Sequence, residues 1–570
     1  MRQVTPTTKQ FPVTDTVDFV VVGSGPAGGI MAQELSEAGY SVVVLEQGGW
    51  ACFGHEQDYN KDEFLQRYPD EANTLQSNSP LRPNTFRRTD KDKAVPGNHS
   101  YGMCVGGGGV TYGGSSWRHL PYEFNELTTF KGDIPSGTGI ADWPITYEEI
   151  EPYYVKAEWD LGICGPNTKQ DLLPMPMMYP MSKPYPVGPQ AQKSSGALFK
   201  IAAKKLGLHT SPNVCAIITQ PYQGRAACNN CSWCSGYGCQ IKARSCSPVV
   251  HFPRALKTGR CEIRVHSYAY EVAVNDAGRV TGVRYFDSQK QQVFQRARAV
   301  VVSANAGESA RLLLLSKSKL FPNGLANSSG LVGKYLMTGN GGGATGWVDH
   351  PMGEYKGAVT GVAILDYVPN DPKRGFYGGG RMTARGQSNP ISWGLSGGPD
   401  SPRWGAGYKK GLLQWVDRRI TCTNFITQQP LITNYVDLDP DLKDGWGLPA
   451  MRITTQSHPN DITAIDWFQK KSVEILQAAG CNRIEPLGPP ANQDTRGGSH
   501  NRGTCRMGND PKTSVLNRYL RAHDVPNLWV VDASCFVTTG RNHPTMTIQA
   551  CAYWAAEHLI KDAKGGALKT

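Results

Sequence analysis

Residues 17–28 read Val17-Asp-Phe-Val-Val-Val22-Gly23-Ser-Gly25-Pro-Ala-Gly28, and no other segment says as much about architecture. Val17 to Val22 is a short apolar run of the length expected of a buried parallel strand. The glycines follow, then a segment with helical spacing through Ile30, Met31 and Leu35, then a second apolar strand, Ser41 to Leu45, ending at Glu46. Gly23 permits a tight turn, Gly25 lets backbone approach a pyrophosphate, and Gly28 lets helix pack on strand. The helix N-terminus offers partial positive charge to the phosphates. Glu46 lies 18 residues past Gly28, placed to accept hydrogen bonds from a ribose diol. Strand, turn, helix, strand and acid in this order predict dinucleotide binding rather than a chance glycine turn.

Two later segments look like parts of the same α/β domain. Ala299 to Ser303 is another buried strand, followed by Ala304-Asn-Ala-Gly307 and a leucine-rich helix, Ser309 to Ser316. Leu528 to Val531 is a strand running into Asp532. The stretches between are richer in Pro, Trp and Tyr and lack this alternation. The expected organisation is a discontinuous nucleotide domain, 1–124 with 211–335 and 496–570, into which a second lobe, 125–210 with 336–495, is inserted.

A chain of 570 residues is long enough for roughly three to four units of about 150 residues, and needs no disulfide staples. Its 39% hydrophobic and 19% charged residues are those of an ordinary globular protein, and no apolar run is long enough to span a bilayer. Lys and Arg number 59 against 48 Asp and Glu, and the resulting +11 is dispersed. The densest basic stretch, Arg82 to Lys93, is interrupted by acids, so a solvated surface is expected rather than a nucleic-acid face. The first 17 residues, MRQVTPTTKQFPVTDTV, carry no apolar core of a signal peptide. Fifteen cysteines are unevenly placed, with five between Cys228 and Cys246, a clustering that reads as a metal site rather than a disulfide framework.

Met103 to Trp117, MCVGGGGVTYGGSSW, holds six glycines in fifteen residues. Regular helix or strand would not tolerate that density, whereas a loop pressed against a flat cofactor would. The apolar Val105, Val110, Tyr112 and Trp117 argue against a floppy surface loop. Further on, His500 follows Gly498-Ser, and His543 sits in Arg541-Asn-His543-Pro-Thr545, about 40 residues later. A neutral imidazole near pH 7 can accept a hydroxyl proton. One histidine alone is more often a structural hydrogen bonder; two flanking a strand of the nucleotide domain point to catalysis.

The N-terminal fingerprint, the GGGGVTYGGSSW loop, GESARLLLLS and the His500/His543 pair together resemble the glucose–methanol–choline (GMC) flavoprotein oxidoreductases, from about residue 17 to 560. That resemblance implies a Rossmann-like FAD-binding domain of the glucose oxidase type with an inserted mixed-sheet substrate domain. It implies FAD as the dinucleotide, contacted by Gly23, Gly25, Gly28, Glu46, Gly106, Gly107, Ser115, Ser116, Ala269, Asp532, Ala533 and Thr545. His500 occupies the catalytic position and would take the substrate hydroxyl proton as the carbinol hydride passes to flavin N5. His543 would hold the substrate oxygen. One departure is Val332-Gly-Lys-Tyr-Leu336-Met-Thr-Gly, where many relatives carry Asp-His after the leucine.

Cys228-Asn-Asn-Cys231-Ser-Trp-Cys234-Ser-Gly-Tyr-Gly-Cys239 has the spacing C-x2-C-x2-C-x4-C. Thiolates at this density suit an iron–sulfur cluster, and the start of the run resembles a ferredoxin loop. A structural zinc site, the alternative, usually separates two C-x2-C knuckles by a longer loop. Within the family such chains resemble the flavoprotein subunits of bacterial membrane-bound sugar and sugar-acid dehydrogenases of the gluconate 2-dehydrogenase kind. The resemblance implies a cluster on ligands drawn from Cys228, Cys231, Cys234 and Cys239, of the 3Fe–4S type with one cysteine spare or, as the alternative, 4Fe–4S, relaying electrons to a cytochrome c or quinone. It also implies a sugar or sugar-acid substrate, a small partner subunit carrying the export signal, and a place on the periplasmic face of the inner membrane without a direct span. Without such a partner the expected location is the cytoplasm.

The rivals are an oxidase or dehydrogenase of the same family for a glycoside or aromatic primary alcohol, an electron-transfer subunit without its own substrate site, and a zinc-stapled binding protein. A one-electron relay argues against the oxidase, and the histidine pair against the electron-transfer subunit. No motif names the substrate. A carboxylate would need an arginine or lysine clamp, for which Arg541 is a candidate, a surface salt bridge being its other reading.

Overall fold

In a computed structural model of the chain, which describes residues 9–50, 81–97, 99, 101–167, 179–232, 234–339, 341–386, 394, 398–487, 500–566 and 568, Val17–Val22 is a strand buried along almost its whole length. It pairs in parallel with Val42–Leu45 on one side and with the second half of Gln292–Val302 on the other. Cys261–Arg264 and Leu528–Val530 extend the parallel array outward. Strands covered on both faces need continuous apolar sequence, which VDFVVV, VVVL and AVVV supply. The strand order reverses between Val17–Val22 and Gln292–Val302, so the crevice at their C-terminal ends is where a ligand is expected. Gln292–Val302 serves twice. Its first half pairs antiparallel with Val280–Phe286, which in turn pairs with Tyr268–Val274, completing a seven-stranded sheet.

The second lobe holds a six-stranded sheet, in the order Arg483–Pro486, Gly343–Trp347, Arg419–Ile426, Gly380–Arg385, Thr360–Ile364, Thr210–Pro212, and every neighbouring pair is antiparallel. Helices Ser194–Leu206 and Pro459–Ala478 cover one face, where Met382, Ala384, Ile420, Cys422 and Ile426 pack with Phe199 and Phe468. Side chains alternate along a strand, so Arg381, Thr383, Thr423 and Phe425 face the opposite way, into a cavity. Mixed pairing occurs in a separate four-stranded sheet. There Pro449–Thr454 is antiparallel to Tyr435–Lys443 and parallel to Asn84–Arg87, with Val95–Pro96 at its edge.

Thr210–Pro212 joins the six-stranded sheet across the junction expected at 210/211; the junction expected at 495/496 lies outside the described residues. The glycine-rich Met103–Trp117 segment is a loop with a single 3-10 turn, Gly107–Val110, and most of it is buried. No helix among the described residues is long and apolar enough to cross a membrane.

Candidate active site

The crevice at the strand-order reversal opens into a cavity that runs from the glycine turn to the two histidines. Gly23, Gly25, Glu46 and Gly107 line one end, Ala269 and Asp532 its flank, and Ser115, Ala533, Thr545, His500 and His543 the other end. Gly25 is the N-cap of helix Pro26–Glu37 and brings no side-chain cap, which leaves the first N–H groups of that helix to a ligand. Gly23 has φ +95°, a left-handed conformation suited to glycine, and a Cβ there would lie 2.4 Å from the Ser303 carbonyl oxygen.

Three of the expected cofactor residues stand behind the wall rather than in it. A Cβ on Gly28 would sit 2.0 Å from the Gly23 carbonyl oxygen, so this glycine seats the helix against the turn. Gly106 donates its N–H to Ser24 Oγ at 3.0 Å. Ser116 is buried and turns its hydroxyl to the Gly114 carbonyl at 2.8 Å.

The two acids of the cofactor side already hold backbone. Glu46 accepts from Ser24 N–H (3.1 Å), Ser24 Oγ (2.5 Å) and Gly48 N–H (2.9 Å). It fastens the glycine turn while one edge faces the cavity, and burial pushes its pKa up. Asp532 accepts from Ser309 Oγ at 2.5 Å and Ser534 N–H at 2.8 Å. The residues fit a flavin dinucleotide. They comprise a phosphate cradle at an uncapped helix and a glycine-rich wall along the cavity.

His500 and His543 meet edge to face, ring centroids 5.0 Å apart and planes at 88°. Phe425 packs on both, 5.2 Å from His500 and 3.9 Å from His543. The atypical Leu336–Gly339 segment holds this region in place. Met337 exchanges backbone hydrogen bonds with Arg502, and Gln428 Oε1 accepts from Thr338 and Gly339 N–H at 2.8 Å each. Burial, then Arg502 and Arg381, push the His500 pKa down to about 3. Burial, then His500 and the arginines, hold His543 well below the usual imidazole range. Both rings are therefore neutral at physiological pH, which leaves His500 a lone pair to accept a proton.

Sequence reasoning missed Arg381, whose Nη2 donates to His543 Nδ1 at 2.8 Å. Its signal was present in Arg381-Met-Thr-Ala-Arg385, a strand with polar and apolar residues alternating and two cations on one face. Arg541 is not the exposed residue weighed as a surface salt bridge. It is fully buried, with Nη1 3.4 Å from Glu123 and 3.6 Å from Glu126, and it does not line the cavity.

The cysteine loop adjoins this site. Ser235, next to Cys234, lines the cavity, and Gly236 N–H donates to the Thr111 carbonyl at 2.8 Å. Buried Arg244 staples the two loops, bonding the Cys234 and Tyr237 carbonyls on one side and the Val110 carbonyl at 2.5 Å on the other. Cys228 Sγ accepts from Asn230 N–H and Cys239 Sγ from Arg244 N–H, each at 3.4 Å. Burial pushes the Cys228 thiol up to about 11, and Cys234, Cys239 and Cys231 add to that push. None of the described cysteines is in a disulfide. No three His, Cys, Asp or Glu among the described residues are gathered closely enough to hold a metal ion.

Residues 142–337 and 430–552 match the N- and C-terminal models of the family described as GMC oxidoreductase, and residues 21–87 match an NAD(P)-binding Rossmann-like domain. The chain is 34% identical to 2-methyl-1,2-propanediol dehydrogenase of Mycolicibacterium austroafricanum, over 96% of either chain. It is 31% identical to the gluconate 2-dehydrogenase flavoprotein of Pantoea cypripedii, over 95% of this chain and 93% of that one. Its fold is similar to that of pyridoxine 4-oxidase from Mesorbium loti, with a TM-score of 0.63 at 18% identity, covering 95% and 99% of the two chains.

Proposed function

The chain belongs to the GMC oxidoreductase family, FAD enzymes acting on CH–OH groups, and on that footing we propose a dehydrogenase that oxidises an alcohol of a sugar or sugar acid. The observation that carries the reading is the pair of neutral imidazoles, His500 and His543, meeting at one end of the cofactor cavity. FAD, when bound along the cavity, would supply the hydride acceptor for the carbinol carbon. His500 takes the hydroxyl proton as the carbonyl forms, and His543 holds the substrate oxygen. Phe425 packs on both rings and limits their motion. Fixing proton acceptor and hydroxyl in one geometry removes the entropy of bringing them together.

Three of Cys228, Cys231, Cys234 and Cys239 would ligate an iron–sulfur cluster of the 3Fe–4S type, one thiolate to each iron, which would supply a one-electron relay towards a cytochrome c or quinone. The support is their sequence spacing, the backbone N–H groups on two of the sulfurs, and the contact of their loop with the glycine-rich wall. A small exported partner subunit and the periplasmic face of the inner membrane belong to the same proposal.

The test is anaerobic mixing of the purified flavoprotein with polyols and sugar acids while following flavin absorbance. Iron, sulfide and low-temperature EPR are measured on the same sample. Bleaching by at least one alcohol and a 3Fe–4S signal with matching iron support the dehydrogenase. Bleaching without iron, followed by fast reoxidation in air, replaces it by an oxidase. No bleaching by any alcohol removes the substrate site.

A further inference from the structure

Arg381, Thr383 and Arg385 share one face of strand Gly380–Arg385, and the chemistry so far asks nothing of their charge. Arg381 is fully buried. Besides its bond to His543, Nη2 lies 3.4 Å from Ser115 Oγ, while Nε and Nη1 have no partner among the described residues. Among those residues it makes no ion pair. Burial is the main influence on its pKa, pushing it down to about 9, and the opposing groups are Cys215 and Tyr179 rather than a carboxylate. Two residues along, Thr383 Oγ1 is likewise buried without a partner.

The acids that line the cavity are committed on the cofactor side. Glu46 holds Ser24 and Gly48, Asp532 holds Ser309 and Ser534, and Glu308 pairs with Arg311 and Tyr101. The other buried arginine beside His500, Arg502, faces Glu123. Arg541 is neutralised by Glu123 and Glu126. Of the three, Arg381 alone lines the cavity, it has no ion pair among the described residues, and a buried guanidinium is costly unless an anion joins it. The phosphates of a dinucleotide belong at the opposite end, on Gly25 and its helix. Arg385, exposed at the cavity, adds a second positive charge on the approach.

We propose that Arg381 anchors a carboxylate of the substrate, so that the alcohol oxidised here is a hydroxy acid rather than a neutral polyol. Thr383 adds a hydroxyl to the same recognition, and Arg385 draws the anion in. The proposal rests on reading the cavity as an alcohol-oxidising site and narrows its substrate. A fork of guanidinium N–H groups matches a carboxylate and gains nothing comparable from a neutral hydroxyl.

The test uses the flavin-loaded enzyme as wild type, Arg381→Lys and Arg381→Gln. Propionate and its neutral amide, propionamide, are titrated against the absorbance of bound flavin. The rate of flavin reduction is then compared for gluconate and its uncharged counterpart glucitol. Propionate should perturb the wild-type spectrum at concentrations at least tenfold below propionamide. Arg381→Gln should weaken propionate by roughly 10- to 100-fold, the usual range for a lost charge-assisted bond, and bring the gluconate-to-glucitol ratio towards one. Arg381→Lys should restore part of both. A general disturbance of the site would slow both substrates without changing their ratio, and that result overturns the proposal. So does a wild type that treats acid and polyol alike, a comparison needing no variant; flavin reduction by glucitol would then leave the dehydrogenase reading standing. Arg381-dependent propionate binding with no reduction by any alcohol would instead uphold the anion site and remove the dehydrogenase.

Discussion

Arg381 Nη2 donates to His543 Nδ1 across 2.8 Å. A guanidinium has no lone pair to offer, so Nδ1 must be the acceptor and the ring proton sits on Nε2. His543 therefore presents a donor on its far edge, suited to holding an oxygen that gains negative charge as its proton leaves. It cannot be the base without giving up that bond. The role of proton acceptor falls to His500, whose pKa near 3 keeps its lone pair free. Two adjacent imidazoles are thus made unlike by one arginine.

Substitution should expose that division of labour. His500→Ala is expected to retain FAD and to slow substrate-dependent flavin reduction by roughly 10²- to 10⁴-fold, the range for loss of a general base. His543→Asn keeps an N–H donor and should lose clearly less than His543→Ala. Equal losses in the two His543 variants, measured by rapid mixing, would show that its donor is not used.

The pH profile should carry the same signature. A general base works only unprotonated, so activity is lost as pH falls through its pKa in the free enzyme. With His500 held near 3 rather than 6.5, kcat/KM should show no step around pH 6.5 and should stay level from pH 8 to 5. A descending limb with a midpoint between 6 and 7 would mean that the flavin-loaded enzyme gives His500 an ordinary imidazole pKa.

What the sequence disclosed and what it hid follow from the range of the interactions. Strand Val17–Val22, its glycine turn and Glu46 were legible because each is dictated by neighbours a few residues away. The histidines were legible as loop residues beside a cofactor-domain strand. Arg381 was not, because its importance arises from 162 residues of separation, closed by the pairing of Gly380–Arg385 with Arg419–Ile426. The burial of Arg541 was hidden for the same reason, its partners Glu123 and Glu126 lying more than 400 residues upstream. Glu46 was read as a ribose ligand, and its bonds to Ser24 and Gly48 give it a second duty that spacing cannot reveal.

Arg541 should matter to stability rather than to recognition. Glu123 accepts its backbone N–H at 2.6 Å, and Glu126 Oε2 accepts from Tyr377 Oη at 2.7 Å. Arg541→Met would leave two buried carboxylates without their cation, a loss of about 3–5 kcal/mol. Adding Glu123→Gln and Glu126→Gln to the same chain should recover much of it. Thermal unfolding of the single and triple variants decides the matter; a triple variant no more stable than the single one would mean that the side chains act by packing and not by charge.

Gly25 and Gly28 sit three residues apart in one turn and should fail in different ways. A Cβ on Gly25 meets nothing within 4 Å, and its φ of −64° is open to any residue. The protein itself therefore gives no reason for glycine there. The space a methyl would occupy is the space a pyrophosphate needs. Gly25→Ala should fold with an unchanged melting temperature when stripped of flavin, bind FAD at least roughly tenfold more weakly, and gain correspondingly less thermal stabilisation from added FAD. A Cβ on Gly28 would lie 2.0 Å from the Gly23 carbonyl oxygen. Gly28→Ala must push the helix off the strand, so the stripped protein itself should melt lower or fail to accumulate. Flavin titration and thermal scans on the two variants separate the effects. Undiminished FAD affinity in Gly25→Ala would place the phosphates elsewhere than on this turn.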